Sequence, residues 1–253
     1  MVLFQEKAVT LKPLKVSKFC RTELFPPCNV KENVIYYILK SMSYDIFQSV
    51  SQGVFGAQDA ENRRIKAIAD ELHRCCKVYE TEHGDRMSDV SSFEIEQRAA
   101  ENFAKKCGLW LPMDRLFDLG TPGPSGNEND TYVCNDIIYK VNNLLNSGSI
   151  LHLLDKIQMH NEIFPYTYYQ LYAFTGFDGR TVMPVLKQDL VKDAVPAPQI
   201  AIDTYMNAIG FCNDNGVGHY SNSSFIVWDL IPRNVLSDKD GDIFVVDAEI
   251  KRK

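Results

Sequence analysis

Val227-Trp-Asp-Leu-Ile-Pro-Arg-Asn-Val-Leu236, followed after a short acidic turn by Ile243-Phe-Val-Val-Asp-Ala-Glu249, is the stretch that decides how this chain is read. Asp229 is followed five residues on by Asn234 and eighteen residues on by Asp247, which ends an apolar strand-like run. A short loop carrying Asp and Asn, beside a strand end carrying a second Asp, can bring all three to one point. Metal-assisted phosphoryl transfer needs such a set. One carboxylate takes the attacking hydroxyl's proton, while an amide oxygen and a second carboxylate serve as hard ligands for Mg²⁺. The plainer reading is a polar turn between two strands, with Asp and Asn capping backbone amides.

Upstream, Lys140 stands alone in the apolar run Ile137-Ile-Tyr-Lys-Val141, about 90 residues before Asp229. By itself such a lysine is an edge-strand surface group. Its neighbourhood makes more of it. Gly120-Thr-Pro-Gly-Pro-Ser-Gly-Asn-Glu-Asn-Asp130 holds three Gly and two Pro in eleven residues, which makes it a loop. Thr131–Cys134 and Ile137–Val141 are β-branched and aromatic runs around Asn135-Asp136, a hairpin signal. Gly120, Gly123 and Gly126 are then candidates to lay backbone N–H groups over phosphates, with a flexible connector as the alternative. The loop departs from G-x-G-x-x-G, and no Lys follows Gly126, so it is not a Walker A loop.

A helix is expected from about Ser149 to Asn161, and it should present an acid to Lys140. Asp155 and Glu162, seven residues apart, fall on one helical face. Asp155, mid-helix, is the preferred partner, although its side chain is one methylene shorter than a glutamate. Further elements follow from spacing and punctuation. Asn29-Val-Lys-Glu32 and Ser91-Ser-Phe-Glu94 are capping boxes. Apolar stripes predict helices behind each of them and across Asp59–Glu80. A strand is expected at Val182–Leu186, a helix at Gln199–Ile209 before Gly210, and strands at Phe225–Trp228 and Ile243–Asp247. The class is α+β.

Composition sets the outer bounds. Apolar residues are 45% and charged residues 24% of 253, ordinary values for a globule with a real core. A net charge of −6 argues against nucleic acid or an anionic membrane as partner. No run is long enough to span a bilayer, and the first twenty residues lack a signal-peptide core, so the expected location is cytoplasmic. Seven cysteines without a CxxC pair suit reduced thiols better than disulfides or zinc. Asp238, Asp240, Asp242 and Glu249 occupy EF-hand positions 1, 3, 5 and 12, but Ile243 stands where that loop needs Gly. A strand-connecting Asp/Gly turn is the better reading.

The spacings of Asp229, Asn234 and Asp247 resemble the catalytic loop and metal-binding strand of protein-kinase-like proteins, in the D-L-x-P-x-N-V-L form. The wider pattern takes in Gly108-Leu-Trp, Tyr139-Lys, His160-Asn-x-x-Phe-Pro165 and Gly176-Phe. It resembles the Ser/Thr/Tyr kinase-like domains found in polyvalent proteins of phages and mobile elements, over residues of about 95 to 250. The resemblance implies a minimal protein-kinase-like fold with a small antiparallel sheet, a truncated C-terminal lobe and a helical N-terminal extension. The corresponding division is 1–110 as a helical region packed on a nucleotide-binding core of 111–253. It implies ATP and Mg²⁺ as cofactors. Asp229 and Lys140 would be catalytic, Asp155 would orient Lys140, and Asn234 and Asp247 would hold the metal. Gly120, Gly123, Gly126 and Gln188 would contact nucleotide, the last within a hinge at Val185-Leu-Lys-Gln-Asp189. The acceptor would be a protein hydroxyl, with a small hydroxylated molecule, or a pseudokinase that only binds nucleotide, as alternatives. Val227 replaces the His expected two residues before Asp229, and Ala248-Glu249 replaces Phe-Gly after Asp247.

Overall fold

A five-stranded antiparallel sheet in the order β1-β2-β3-β5-β4 forms one half of the molecule. The computed structural model describes residues 44–83, 91–177, 181–214 and 216–253. The capping box at Asn29 and the stripe behind it lie outside them. The strands are β1 (Thr121–Pro122), β2 (Asn129–Cys134), β3 (Ile137–Asn142), β4 (Gln170–Phe177) and β5 (Thr181–Asp189). The predicted hairpin forms with Asn135 at φ 53, a left-handed position that Asn tolerates. β4, which periodicity did not single out, makes the sheet's far edge. Its pairing with β5 shifts register between Leu171 and Ala173.

Three helices pack on one face of this sheet: α1 (Tyr44–His83), α2 (Ser92–Lys106) and α3 (Ile150–Ile163). α2 opens with the predicted capping box, Ser91 and Glu94 satisfying each other's backbone amides. Ser149 caps α3 through the His152 amide. Ile65 and Leu72 of α1, Ala100 and Ala104 of α2, and Ile150, Leu154 and Ile157 of α3 share one buried cluster with Leu171, Phe174 and Leu186 of the sheet. The helical segment therefore contributes to the same core as the sheet. On the sheet's other face, Val141 and Val185 pack with Leu116 and Leu119 from a 3₁₀ segment, Met113–Leu119.

The second half is assembled from short strands around α4 (Gln199–Ala208). β6 (Val195–Pro196), β10 (Val235–Ser237) and β11 (Ile243–Val245) form one small sheet, in the order β11-β10-β6. β7 (Cys212–Asn213), β8 (Tyr220–Ser221), β9 (Phe225–Trp228) and β12 (Glu249–Arg252) form another. Met159 and Phe164, at the end of α3, reach into their shared cluster with Ile202, Met206, Val227, Leu230, Val235 and Val245. The acidic segment 238–242 is a tight turn. Asp238 Oδ1 accepts from the amides of Asp240 and Asp242, and Gly241 takes φ 84. Among the described residues no helix is long and apolar enough to cross a membrane.

Candidate active site

Lys140 leaves β3 on the face turned toward α3. Its register partner Leu186 belongs to the helix-facing cluster, whereas Val141 and its partner Val185 lie on the other side. Only 8% exposed, the lysine donates from Nζ to the Tyr169 hydroxyl at 2.9 Å and to the Val246 carbonyl at 2.8 Å. Tyr169 donates in turn to the same carbonyl at 2.7 Å, and its ring centroid stands 4.8 Å from Nζ. Burial holds the Lys140 pKa below the ordinary lysine value, with the Asp247 carboxylate pulling the other way. The lysine is thereby tied to the residue immediately before Asp247.

Asn234 fastens the Asp229 loop to the same place. β9 is held between β8 and β12, and Asp229 turns the chain out of it at φ 61. Gly218, at φ 73, lies directly behind. The Leu230 amide donates to the Gly218 carbonyl at 3.2 Å, and a Cβ on Gly218 would crowd the Leu230 backbone. The Asn234 side-chain amide donates to Asp229 Oδ2 and to the Asp229 carbonyl, each at 2.8 Å. The Asn234 backbone carbonyl accepts from the amides of Val246 at 2.9 Å and Asp247 at 3.3 Å. One residue thus joins the loop carboxylate to the strand end. Arg233 sits on the solvent side of Asp229, at 3.2 Å from Oδ1. Asp247 Oδ1 accepts from the Ala248 amide at 3.0 Å. Asn234 Oδ1 and Asp247 Oδ2 carry no hydrogen bond among the described residues.

α3 does not bring an acid to Lys140. Its buried face, Ile150, Leu153, Leu154, Ile157 and Asn161, fixes the helix's rotation and leaves Asp155 and Glu162 exposed. Glu162 instead meets Arg252 at 3.4 Å. The charge this helix delivers inward is Lys156. Its Nζ stands 2.8 Å from Glu249 Oε1 and 3.7 Å from Glu128 Oε2. Burial opposes its charge, yet Asp247, Glu128 and Glu249 together raise its pKa above the ordinary lysine value. Glu128 is also held by Asn142 at 3.1 Å and by Asn146 at 2.9 Å. One turn further along α3, His160 is 1% exposed, with Nε2 3.2 Å from the Thr167 carbonyl and Nδ1 unpartnered. Burial pushes its pKa down to about 3.

The Gly-rich segment forms the turn between β1 and β2, but its glycine amides are occupied. Gly120 N–H reaches the Phe117 carbonyl, Gly123 N–H the Thr131 carbonyl and Gly126 N–H the Asn129 carbonyl. The amides of Ser125 and Asn127 are unpaired among the described residues. Val185–Lys187 lies in the sheet's interior, paired with β3 or β4 on either side. Gln188 pairs with β3 alone through its backbone, and its buried side chain donates to the Thr167 carbonyl at 2.5 Å. Free backbone on this edge therefore begins at Gln188. Tyr169, Lys156 and Glu128 were not singled out from the sequence, and Glu249 was weighed there only as an EF-hand position and as a departure after Asp247. Their only local signal is polarity next to apolar neighbours, as in Leu154-Asp-Lys-Ile157.

A family model described as Serine/Threonine/Tyrosine Kinase found in polyvalent proteins matches residues 94–253. The chain belongs to this kinase family. No curated protein and no solved structure matches it significantly. The kinase match opens within the first turn of α2 and takes in Lys140, Lys156, Asp229, Asn234 and Asp247. α1 lies outside it, although Ile65 and Leu72 pack against the kinase residues of α3.

Proposed function

We propose that the protein is an ATP- and Mg²⁺-dependent phosphotransferase acting on a hydroxyl group of a protein. The observation that carries the reading is Asn234 bonded to Asp229 through its side chain and to the Val246–Asp247 backbone through its carbonyl. Lys140 is anchored on that same carbonyl-bearing residue, Val246. The sheet order β1-β2-β3-β5-β4, with α3 between β3 and β4 and the β10–β11 hairpin between Asn234 and Asp247, supports a kinase-like fold.

In this reading Asp229 accepts the acceptor hydroxyl's proton and aligns its oxygen for attack on the γ-phosphorus. Lys140 faces the polyphosphate from a site where burial weakens screening. Asn234 Oδ1 and the Asp247 carboxylate are hard oxygen donors suited to Mg²⁺. Among the described residues no cluster of three His, Cys, Asp or Glu side chains forms a metal cage. That fits an ion which takes one or two protein oxygens and completes its shell with phosphate oxygens and water. Once bound, the ion would neutralise charge developing on the transferred phosphoryl group. Nucleotide contacts would come from the Gly120–Gly126 hairpin and from the free edge beginning at Gln188.

A nucleotide-binding protein without phosphoryl transfer is the second reading. It is favoured by Lys140 having no carboxylate partner among the described residues. Two measurements separate them. Millimolar ATP with Mg²⁺ should raise the melting temperature, by linkage worth about 2.7 kcal/mol at a hundred times Kd, and Asp247→Ala should remove the Mg²⁺-dependent part. No nucleotide shift in the wild type would sink both readings. Transfer of labelled γ-phosphate should fall about 10²-fold or more in Asp229→Asn while ATP affinity stays within a few-fold. Binding without transfer in the wild type would select the second reading.

A further inference from the structure

The helix that crosses behind Lys140 carries a buried cation where an acid was expected, and that cation touches two different segments of the proposed site. Lys156, 7% exposed, lies between Glu128 at the base of the Gly-rich hairpin and Glu249, two residues beyond Asp247. Glu128 is itself held by Asn142 from β3, by Asn146 and by Ser147 Oγ at 3.5 Å, so the hairpin end is fixed to the chain entering α3. Asn146 also approaches Glu249 Oε1 at 3.5 Å, closing the network on itself. Two carboxylates thus face one cation, and the side-chain amides of Asn142 and Asn146 and the Ser147 hydroxyl supply further donors to them. A buried cation flanked by two carboxylates adds little net stability over an apolar replacement. What it supplies is registry between the elements it joins.

We propose that Lys156 is a positioning residue: it holds the Gly-rich hairpin, through Glu128, in register with the segment that carries Asp247, through Glu249. This rests on the nucleotide-binding reading and specifies how the two sides of that site are held in register. Lys140 is placed separately, by Tyr169 and the Val246 carbonyl. The usual division of labour is thereby rearranged: α3 sets the two phosphate-side walls relative to each other and leaves the phosphate-facing lysine to a tyrosine. ADP bound with Mg²⁺ needs both walls at once, the hairpin over its phosphates and the Asp247 segment at its metal. Loss of Lys156 should accordingly weaken the Mg²⁺-dependent part of ADP binding most.

The test is ADP affinity by calorimetry, with and without Mg²⁺, on the full chain. Lys156→Met should weaken ADP·Mg²⁺ binding about 10-fold or more, the usual cost of losing an outer-shell partner, and change Mg²⁺-free ADP binding less. Lys156→Arg should restore it to within a few-fold. Glu128→Gln and Glu249→Gln should each weaken ADP·Mg²⁺ binding in the wild-type background and have no further effect in Lys156→Met, because all three act through one contact set. If Lys156→Met does not fold, the neutral triple variant Lys156→Met/Glu128→Gln/Glu249→Gln leaves no unpaired buried charge, and it should fold and show the same loss. Wild type that binds ADP·Mg²⁺ with Lys156→Met or the triple variant equally tight overturns the positioning role alone. Independent, multiplying effects of the two glutamate substitutions overturn it too. Wild type that binds no ADP·Mg²⁺ overturns the nucleotide reading and this role with it.

Discussion

Replacing Tyr169 by Phe removes a single oxygen from a buried part of the site, and its cost can be worked from the geometry. Lys140 Nζ has two acceptors, the Tyr169 hydroxyl at 2.9 Å and the Val246 carbonyl at 2.8 Å, and the residue is 8% exposed. The substitution halves that set and gives little room for water to take the vacant place. A hydrogen bond to a charged group contributes about 1.5–3 kcal/mol, so Tyr169→Phe should destabilise the fold by about 2 kcal/mol. The ring remains, and with it the cation–π contact at 4.8 Å. For a chain of this length about 2 kcal/mol lowers the melting temperature by roughly 4–8 °C. The control is the same substitution in Lys140→Met. There the Tyr169 hydroxyl keeps its bond to the neutral Val246 carbonyl but has lost its charged partner, and its loss should cost about 1 kcal/mol. Urea unfolding of the four proteins gives a coupling energy of about 1 kcal/mol between the two positions. A coupling near zero, or an unchanged melting temperature in Tyr169→Phe, would refute the claim that Tyr169 holds the lysine.

Three further outcomes are expected. His160 titrates at about 3 in the fold against 6.5 when exposed, so between those values the unfolded chain binds a proton that the folded chain does not. Stability should therefore fall with falling pH below about 6.5, by about 1.4 kcal/mol per pH unit from this group, and His160→Gln should flatten that slope in urea titrations from pH 7 to 4.5. An identical slope in the variant would refute it. Asp155→Ala should leave both stability and ADP·Mg²⁺ affinity near wild type, because the side chain faces solvent; a loss of affinity of about 10-fold would restore it as the partner of Lys140. Gly176 sits at φ 149 with the Thr181 carbonyl where a Cβ would go, while Gly126 has open space around it. Gly176→Ala should destabilise by more than about 1 kcal/mol and Gly126→Ala by far less, read from urea midpoints; equal effects would contradict the backbone assignment.

How much of the protein was legible in the chain depends on the range of the forces involved. Local rules carried the capping box at Ser91, the Asn135 hairpin, α3 from its Ser149 cap and the Asp238 turn, because each is decided by residues within a few positions. The spacing of Asp229, Asn234 and Asp247 was equally local. A loop of five residues and one hairpin join all three, and the structure bonds Asn234 to both neighbours. β4 went unread because its pattern of burial comes from the sheet and helices around it rather than from alternation in its own residues.

The partner of Lys140 shows where sequence ends. Asp155 and Glu162 satisfied every rule about helical faces, but which face turns inward is set by where Ile150, Leu154 and Ile157 find apolar surface on α1 and the sheet. That packing rotates both acids into solvent and Lys156 toward Glu128 and Glu249, residues 28 positions before and 93 after it. Tyr169 likewise meets a carbonyl 77 residues away. The chain by itself determined which chemistry is present: a lysine on a strand, and two carboxylates and an amide at fixed spacing. Tertiary structure alone decided which charges face each other. Desolvation makes a buried charge costly unless a partner arrives, and that partner can come from any part of the chain.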